Sequence, residues 1–478
     1  MDCEKSTEVQ NLSITIEQKM LNESTLKDES RLEDDNHVQP EDAFMQAEDS
    51  CNVANIETLS ESDVAPITNK ADSPIPSQSH MIGDATKEVP ETSEEAQSEK
   101  EVKNTEPSNS EDIEPMSPPC IDYDWSASPR LLCTATKEYE STSMFENFTK
   151  GCQWSPDGTC LLVPSEDFRI RIYELPRELY SGKVPPDFME TNFTPAITVK
   201  EGGLVYDTCW YPFMNSWQPA SCCFLSTSKE SPAHLWDAFT GELRATYRPY
   251  NQMDEIEAAI SVQFVDSGRE IWCGFKNAVR IFDTSYPGRQ TSTVEFKHDF
   301  PSMIGLVSCI RENPIMPGLV AVGTYSKCIG LYKDAPLCTF KTASGVTQVE
   351  FSSCGTKLFS ACRKSGEFLC WDLRNPGDVL HSFEGRQSDT NQRIQFDVTC
   401  NGKRMISGGT DGNITVWELP DVTEHGENLN PKYKIKLSED CINGTSLHKT
   451  LPILATSSGQ RGIETEHKEN SVKLWGVL

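Results

Sequence analysis

Two short segments carry planar polar side chains suited to gripping an anion or reading a base edge. They are Thr390-Asn-Gln-Arg-Ile394 and Ser458-Gly-Gln-Arg461. The amides of Gln392 and Gln460 offer donors and acceptors together, and Arg393 and Arg461 each offer a rigid fork of donors. Other bases stand in short polar stretches between apolar runs: Lys150, Lys229, Lys276, Lys327 and the pair Arg363-Lys364. Trp210, Tyr211 and Trp217 cluster in one stretch. An exposed aromatic there would stack an unpaired base, whereas a place in the core is the simpler account of Trp210.

Catalytic patterns are missing by comparison. The chain has no G-x-x-x-x-G-K-[ST], G-x-S-x-G, H-E-x-x-H or G-x-G-x-x-G. Its 8 histidines are dispersed, and neither His234 nor His448 has an evident partner, so both read as structural. An enzyme would need residues converging from distant segments. The 18 cysteines include no C-x-x-C pair, so neither zinc nor another cofactor is expected. Several lie in apolar strands, where a reduced thiol packs as a small hydrophobe.

The elements that must hold these residues repeat. Short apolar strands end on an aromatic at Tyr173, Trp236, Phe282, Tyr332, Trp371, Trp417 and Trp475. Asp follows directly at Asp237, Asp283 and Asp372. A period of roughly 40–45 residues with a Trp-Asp ending marks a WD-repeat blade, the longer gaps being loop insertions. The expected fold is therefore all-β, a seven-bladed WD-repeat β-propeller over 121–478. Inner hairpins are legible at Ser155-Pro-Asp-Gly158, Asp266-Ser-Gly268, Ser353-Cys-Gly355 and Cys400-Asn-Gly402. Glycine supplies the positive φ of each turn. A strand near Arg130–Tyr139 precedes the first blade and is expected to close the ring on the last one, which removes two free edges. The Gly-His dipeptide of regular repeats is missing, so no buried Asp-His-Ser-Trp network is expected.

Charge separates the chain into two parts. Of 478 residues and a formal charge of −30, residues 1–120 hold 29 acids, 8 bases and a single aromatic, Phe44. Such a stretch buries too little apolar surface to offset its ordering entropy, so 1–120 reads as a disordered acidic tail and linker. Ser73, Ser117 and Ser128 each precede Pro and are candidate phosphorylation sites. The first twenty residues lack a signal peptide's apolar core, and no apolar run is long enough to cross a membrane.

Placed on the repeat, Lys229, Lys276, Lys327, Arg363, Lys364 and Arg461 fall in the turn between the second and third strands of their blades. Lys150 and Arg393 fall in segments leading into blades. These share one face, and a basic ring there fits phosphate. Chance is an equal account from spacing alone, because Lys and Arg are common in exposed loops.

Longer stretches carry a resemblance. GCQWSPDG (151–158), RIYELPRELY (171–180), YDTCWYPFMNSWQP (206–219), SPAHLWDAFTGELRATYRPYN (231–251), TNQRIQFD (390–397) and SLHKTLPILATSSGQR (446–461) closely resemble the telomerase Cajal body protein family. The resemblance spans roughly Phe145 to Trp475. It implies a non-enzymatic RNA-binding scaffold. Such a scaffold recognises the CAB box of small Cajal-body RNAs and telomerase RNA. It associates with the dyskerin-containing box H/ACA ribonucleoprotein and other Cajal-body proteins. It is located in the nucleus and Cajal body, with the cytoplasm and telomeres as further sites. No membrane or small-molecule substrate is implied. The resemblance lifts the basic-ring reading above chance. The alternative is a propeller that binds only proteins, such as a ubiquitin-ligase adaptor or a chromatin reader.

Overall fold

Alternation decides how each blade packs. In blade one Leu161 and Val163 point to one side and Leu162 to the other, as the twofold period of a strand requires. The two sides join different apolar clusters. Ile271 and Cys273 likewise part from Trp272, and Leu358 from Phe359. A computed structural model describes residues 121–140, 146–181, 183–186, 188, 191–420, 426–461 and 468–478. Residues 1–120, with Ser73 and Ser117, lie outside the described residues.

The fold is a seven-bladed β-propeller. From the channel outward, blade one is Gln153–Trp154, Cys160–Pro164, Arg169–Glu174 and Ile197–Lys200. Blade two is Val205–Trp210, Cys223–Ser228, Ala233–Asp237 and Leu243–Tyr247. Blade three is Ser261–Val265, Glu270–Gly274, Ala278–Asp283 and Ser292–Glu295. Blade four is Val307–Glu312, Val320–Thr324, Cys328–Lys333 and Ala335–Lys341. Blade five is Val346–Phe351, Lys357–Cys362, Phe368–Asp372 and Val379–Phe383, with Glu427–Leu429 added in parallel at its edge. Blade six is Phe396–Val398, Arg404–Ser407, Asn413–Glu418 and Tyr433–Lys436. Blade seven takes Ile442–Leu447, Ile453–Ser458 and Val472–Gly476 from the end of the chain and Arg130–Ala135 from its start. Thr191–Asn192 then pairs in parallel with Arg130–Ala135. All seven aromatic anchors sit in third strands.

Seven apolar clusters among the described residues fall one to each interface between blades. Each contains fully buried side chains, such as Phe359 between blades five and six. A buried Phe contributes roughly 1.5–3 kcal/mol. First-strand polar residues interlock around the channel: Arg311 Nε donates to Glu350 at 2.9 Å and its Nη1 to Gln263 at 3.0 Å, joining blades four, five and three.

The two histidines read as structural have partners that the sequence did not make evident. His448 Nε2 donates to the Gly158 carbonyl at 2.8 Å, while its Nδ1 accepts the Thr450 and Leu451 amides at 3.1 Å. Burial lowers its pKa, which suits this neutral tautomer. Gly158 has φ +76°, and a Cβ there would meet the His448 ring at 2.5 Å. His234 Nδ1 lies 3.0 Å from Glu201, which also accepts from Ser228 at 2.9 Å. Trp236 Nε1 donates to Ser226 at 2.7 Å, and Ser226 to Glu201. Blade two thus builds the acid–histidine–serine–tryptophan network that the sequence denied it. The acid comes from the segment before the blade and the histidine from its third strand, so the usual dipeptide is not needed. A second correction concerns the thiols. Cys400 is disulfide-bonded, and the other described cysteines form no disulfide.

Closure makes the ring depend on its first strand. Deleting residues 1–115 leaves the melting midpoint within ~2 °C of the full chain. Deleting 1–140 also strips Tyr123, Trp125 and Tyr139 from the core and lowers the midpoint by more than ~5 °C. Differential scanning calorimetry of both truncations checks this.

Candidate nucleic-acid interface

The turn joining second to third strand is tight, and its backbone often turns left-handed. Glu230, Asn277, Lys327 and Lys364 have φ of 58°, 59°, 66° and 47°. Those turns point away from the first-to-second hairpins, so all lie on one face. Lys229, Lys276, Lys327 and Arg363-Lys364 occupy them in blades two, three, four and five. Lys276, Lys327 and Lys364 are exposed, while Lys229 is partly buried, 4.0 Å from Glu230. The corresponding turns of blades one and six carry Glu166-Asp167 and Asp411. The basic feature is therefore an arc over four consecutive blades, joined on the same face by Arg461 in the corresponding connection of blade seven and interrupted at blades one and six.

The segment Thr390–Arg393 crosses this face. The Thr390 carbonyl accepts the Lys364 amide at 3.1 Å, on blade five. Gln392 Nε2 donates to the Gly459 carbonyl at 3.1 Å, on blade seven. Arg393 then reaches across the channel mouth. Its Nη1 donates to the Tyr206 carbonyl at 3.2 Å and lies 3.6 Å from Asp207, both on blade two. Its Nη2 donates to the Ser308 carbonyl at 2.6 Å and its Nε to the Tyr325 hydroxyl at 3.3 Å, both on blade four. Burial works against the Arg393 charge, but Tyr325 and Asp207 outweigh it and hold the guanidinium protonated. Burial likewise opposes ionisation of Tyr325, yet the Arg393 and Arg363 charges pull its phenol below the usual value.

Arg461 stands on the other side of the mouth. Its Nη2 pairs with Glu166 at 2.5 Å, and Lys150 pairs with the same carboxylate at 2.9 Å. Burial, with Arg461 and Arg393 nearby, pulls the Lys150 ammonium down to about 8 against the opposing pull of Glu166. Gln460 Nε2 donates to Asp440 at 2.9 Å. The structure thus gathers Gln392, Arg393, Gln460 and Arg461 near the mouth and sets Lys229, Lys276, Lys327, Arg363 and Lys364 in the arc. The residues that sequence missed are the fixed partners: Asp207, Glu166 and Tyr325. None lies in a recognisable motif.

The aromatic cluster divides. Trp210 is buried, and Tyr211 packs edge-on to Phe264 at 5.4 Å. Trp217 is 93% exposed, but it lies in the first-to-second connection of blade two, on the opposite face. Ser128 is exposed just before the closing strand. Among the described residues no group of three or more His, Cys, Asp or Glu side chains is placed to hold a metal ion. No helix there is long and apolar enough to cross a membrane.

Fold and face together define a WD-repeat propeller with a polar, arginine-bridged mouth bordered by a basic arc. No known family profile matches the chain. Its residues are 43% identical over 343 positions to telomerase Cajal body protein 1 of Mus musculus, covering 71% of this chain and 63% of that protein. Identity to the Homo sapiens protein of that name is 42% over 343 positions, 71% of this chain and 61% of the relative. The Schizosaccharomyces pombe guanine nucleotide-binding protein negative regulator 1 is 31% identical over 292 positions, 58% of this chain and 72% of its own. The chain belongs to the telomerase Cajal body protein family. It spans about three fifths of the length of the mouse and human relatives.

The two arginines differ in what their loss costs. Arg393→Ala leaves two carbonyls without their donor and Asp207 without its cation, and destabilises the fold by ~2 kcal/mol or more. Arg461→Ala, whose side chain is 53% exposed, changes stability by less than about 1 kcal/mol. Urea unfolding of the two variants separates them.

Proposed function

We propose that this chain is a non-enzymatic RNA-binding scaffold. It holds the CAB-box loop of small Cajal-body RNAs and telomerase RNA on the face described above. It directs these particles to Cajal bodies in the nucleus, in company with the dyskerin-containing box H/ACA ribonucleoprotein. The observation that carries this reading is the recurrence of Lys or Arg at one turn of four consecutive blades. Family membership supports it, since the mouse and human relatives are named for telomerase and the Cajal body.

The residues take different roles. Lys229, Lys276, Lys327 and Lys364 make phosphate contacts, which set affinity without reading sequence. Gln392, Gln460 and Arg461 border the mouth, where amide and guanidinium groups discriminate base edges. Arg393 lies beneath and fixes the relative positions of blades two, four and six, with its fork already spent on carbonyls. A base-reading role for Arg393 itself needs those bonds to exchange.

Crosslinking RNA to the purified chain and sequencing it tests the reading. CAB-box loops should be enriched over the same hairpins with the box mutated. Equal recovery of both would overturn it, and capture of partners unaffected by RNase would favour a protein-only propeller. Each Lys→Ala change in the arc should flatten the dependence of log affinity on log salt by about one unit.

Lys150 adds a pH dependence. Its folded value lies below that of free lysine, so its charge opposes folding below about pH 8. That penalty is relieved as pH rises from about 8 toward the free-lysine value. The charge available to RNA is lost over the same rise. The salt slope of RNA binding should therefore be smaller by about one at pH 9 than at pH 7. Titrations with Lys150→Met, expected to show the smaller slope at both pH values, check the assignment.

A further inference from the structure

Arg363 differs from the lysines of the arc in being held against an aromatic ring. Its guanidinium carbon lies 3.5 Å over the Tyr325 ring. The ring is itself anchored, because the Tyr325 hydroxyl accepts Arg393 Nε at 3.3 Å. The backbone beneath is fixed too: the Arg363 amide donates to the Gly345 carbonyl at 2.8 Å, and Ser344 Oγ donates to the Arg363 carbonyl at 2.7 Å. Arg363 Nε is buried without an acceptor, yet the residue as a whole is only partly buried. One face of the plane is taken by the ring. The side chain keeps part of its surface exposed, and Lys327 and Lys364 in the neighbouring turn positions are exposed.

We propose that Tyr325 and Arg363 form a stacking platform for one unpaired RNA base, with the ring beneath, the guanidinium in the middle and the base on its outer face. The inference rests on the RNA-binding reading above and deepens it. Unpaired bases in RNA loops stack on aromatic rings or guanidinium planes. A guanidinium already seated on a ring needs no ordering at the moment of binding. Lysine carries the same charge but no plane, so it cannot replace Arg363 here. The flanking lysines hold the phosphates on either side of the stacked nucleotide.

The experiment uses the full chain and an RNA hairpin with a CAB-box loop, alongside hairpins carrying one abasic site at each loop position. With the native chain, one abasic position should weaken binding by roughly five- to a hundredfold. Arg363→Lys should lose about that factor on the intact loop, lose nothing further on the abasic one, and keep the native salt slope. Tyr325→Leu, which removes the ring and keeps the Arg363 charge, should behave alike, so the outcome does not hang on one variant folding. Lys327→Ala should keep the abasic penalty and lose about one unit of slope. Native-like binding of the intact loop by Arg363→Lys, or a full abasic penalty in that variant, overturns the platform and leaves the scaffold reading standing. A native chain that binds the intact hairpin no better than unrelated RNA overturns both.

Discussion

The pairing of Arg130–Ala135 with Val472–Gly476 is the constraint on which the remaining geometry depends. Every other blade draws its four core strands from one run of sequence, so each is stitched by local hairpins. Blade seven is made from both ends of the described chain. Without its outer strand, Val472–Gly476 would present an unpaired edge, and the cluster containing Leu132, Ala135, Leu161 and Tyr173 would lose one wall. The interface between blades seven and one is then the place where the ring opens. His448 and Gly158, Asn443 and Thr149, and Ser446 and Trp154 bond across that same seam. The mouth spans it as well, because Arg461 on blade seven meets Glu166 on blade one. The proposed site is therefore only as rigid as the closure.

Charge at the mouth is balanced in layers. The deeper guanidinium of Arg393 is spent on carbonyls and on Asp207, which leaves it a fixed strut. The outer layer keeps its charge toward solvent in blades two to five. Glu166 sits between the layers and neutralises Arg461 and Lys150 in part, so the positive field is strongest along the arc and weaker at the opposite rim. This asymmetry gives a bound strand one side of the channel to follow.

Much of the fold was legible in the sequence because it rests on local rules. The anchors from Tyr173 to Trp475 repeat because each third strand buries an aromatic between blades. The turns at Gly158, Gly268, Gly355 and Gly402 are readable because their backbone requires glycine. The arc was legible for the same reason, since a turn position is fixed once its strands are placed. What stayed hidden depends on distance in the chain. Arg393 meets Tyr206 from 187 residues away, and nothing around either residue announces the other. The network in blade two was missed because its acid stands before the blade and its histidine in the third strand, with no Gly-His dipeptide to mark them. The edge strands Thr191–Asn192 and Glu427–Leu429 are too short and too exposed to show alternation.

Blade seven has a consequence for how the chain tolerates loss. In most repeat proteins, removing the last repeat shortens the array and leaves the others standing. Here the last strand carries Trp475, whose Nε1 donates to Thr456 at 2.9 Å and whose ring packs with Ile406 and Ile442. A stop codon anywhere before Val472 deprives Arg130–Ala135 of its antiparallel partner. The product is an open crescent with two sticky edges, not a six-bladed ring. Damage to Val472–Gly476 is thus equivalent to damage to Arg130–Ala135, although the two strands stand far apart in the sequence.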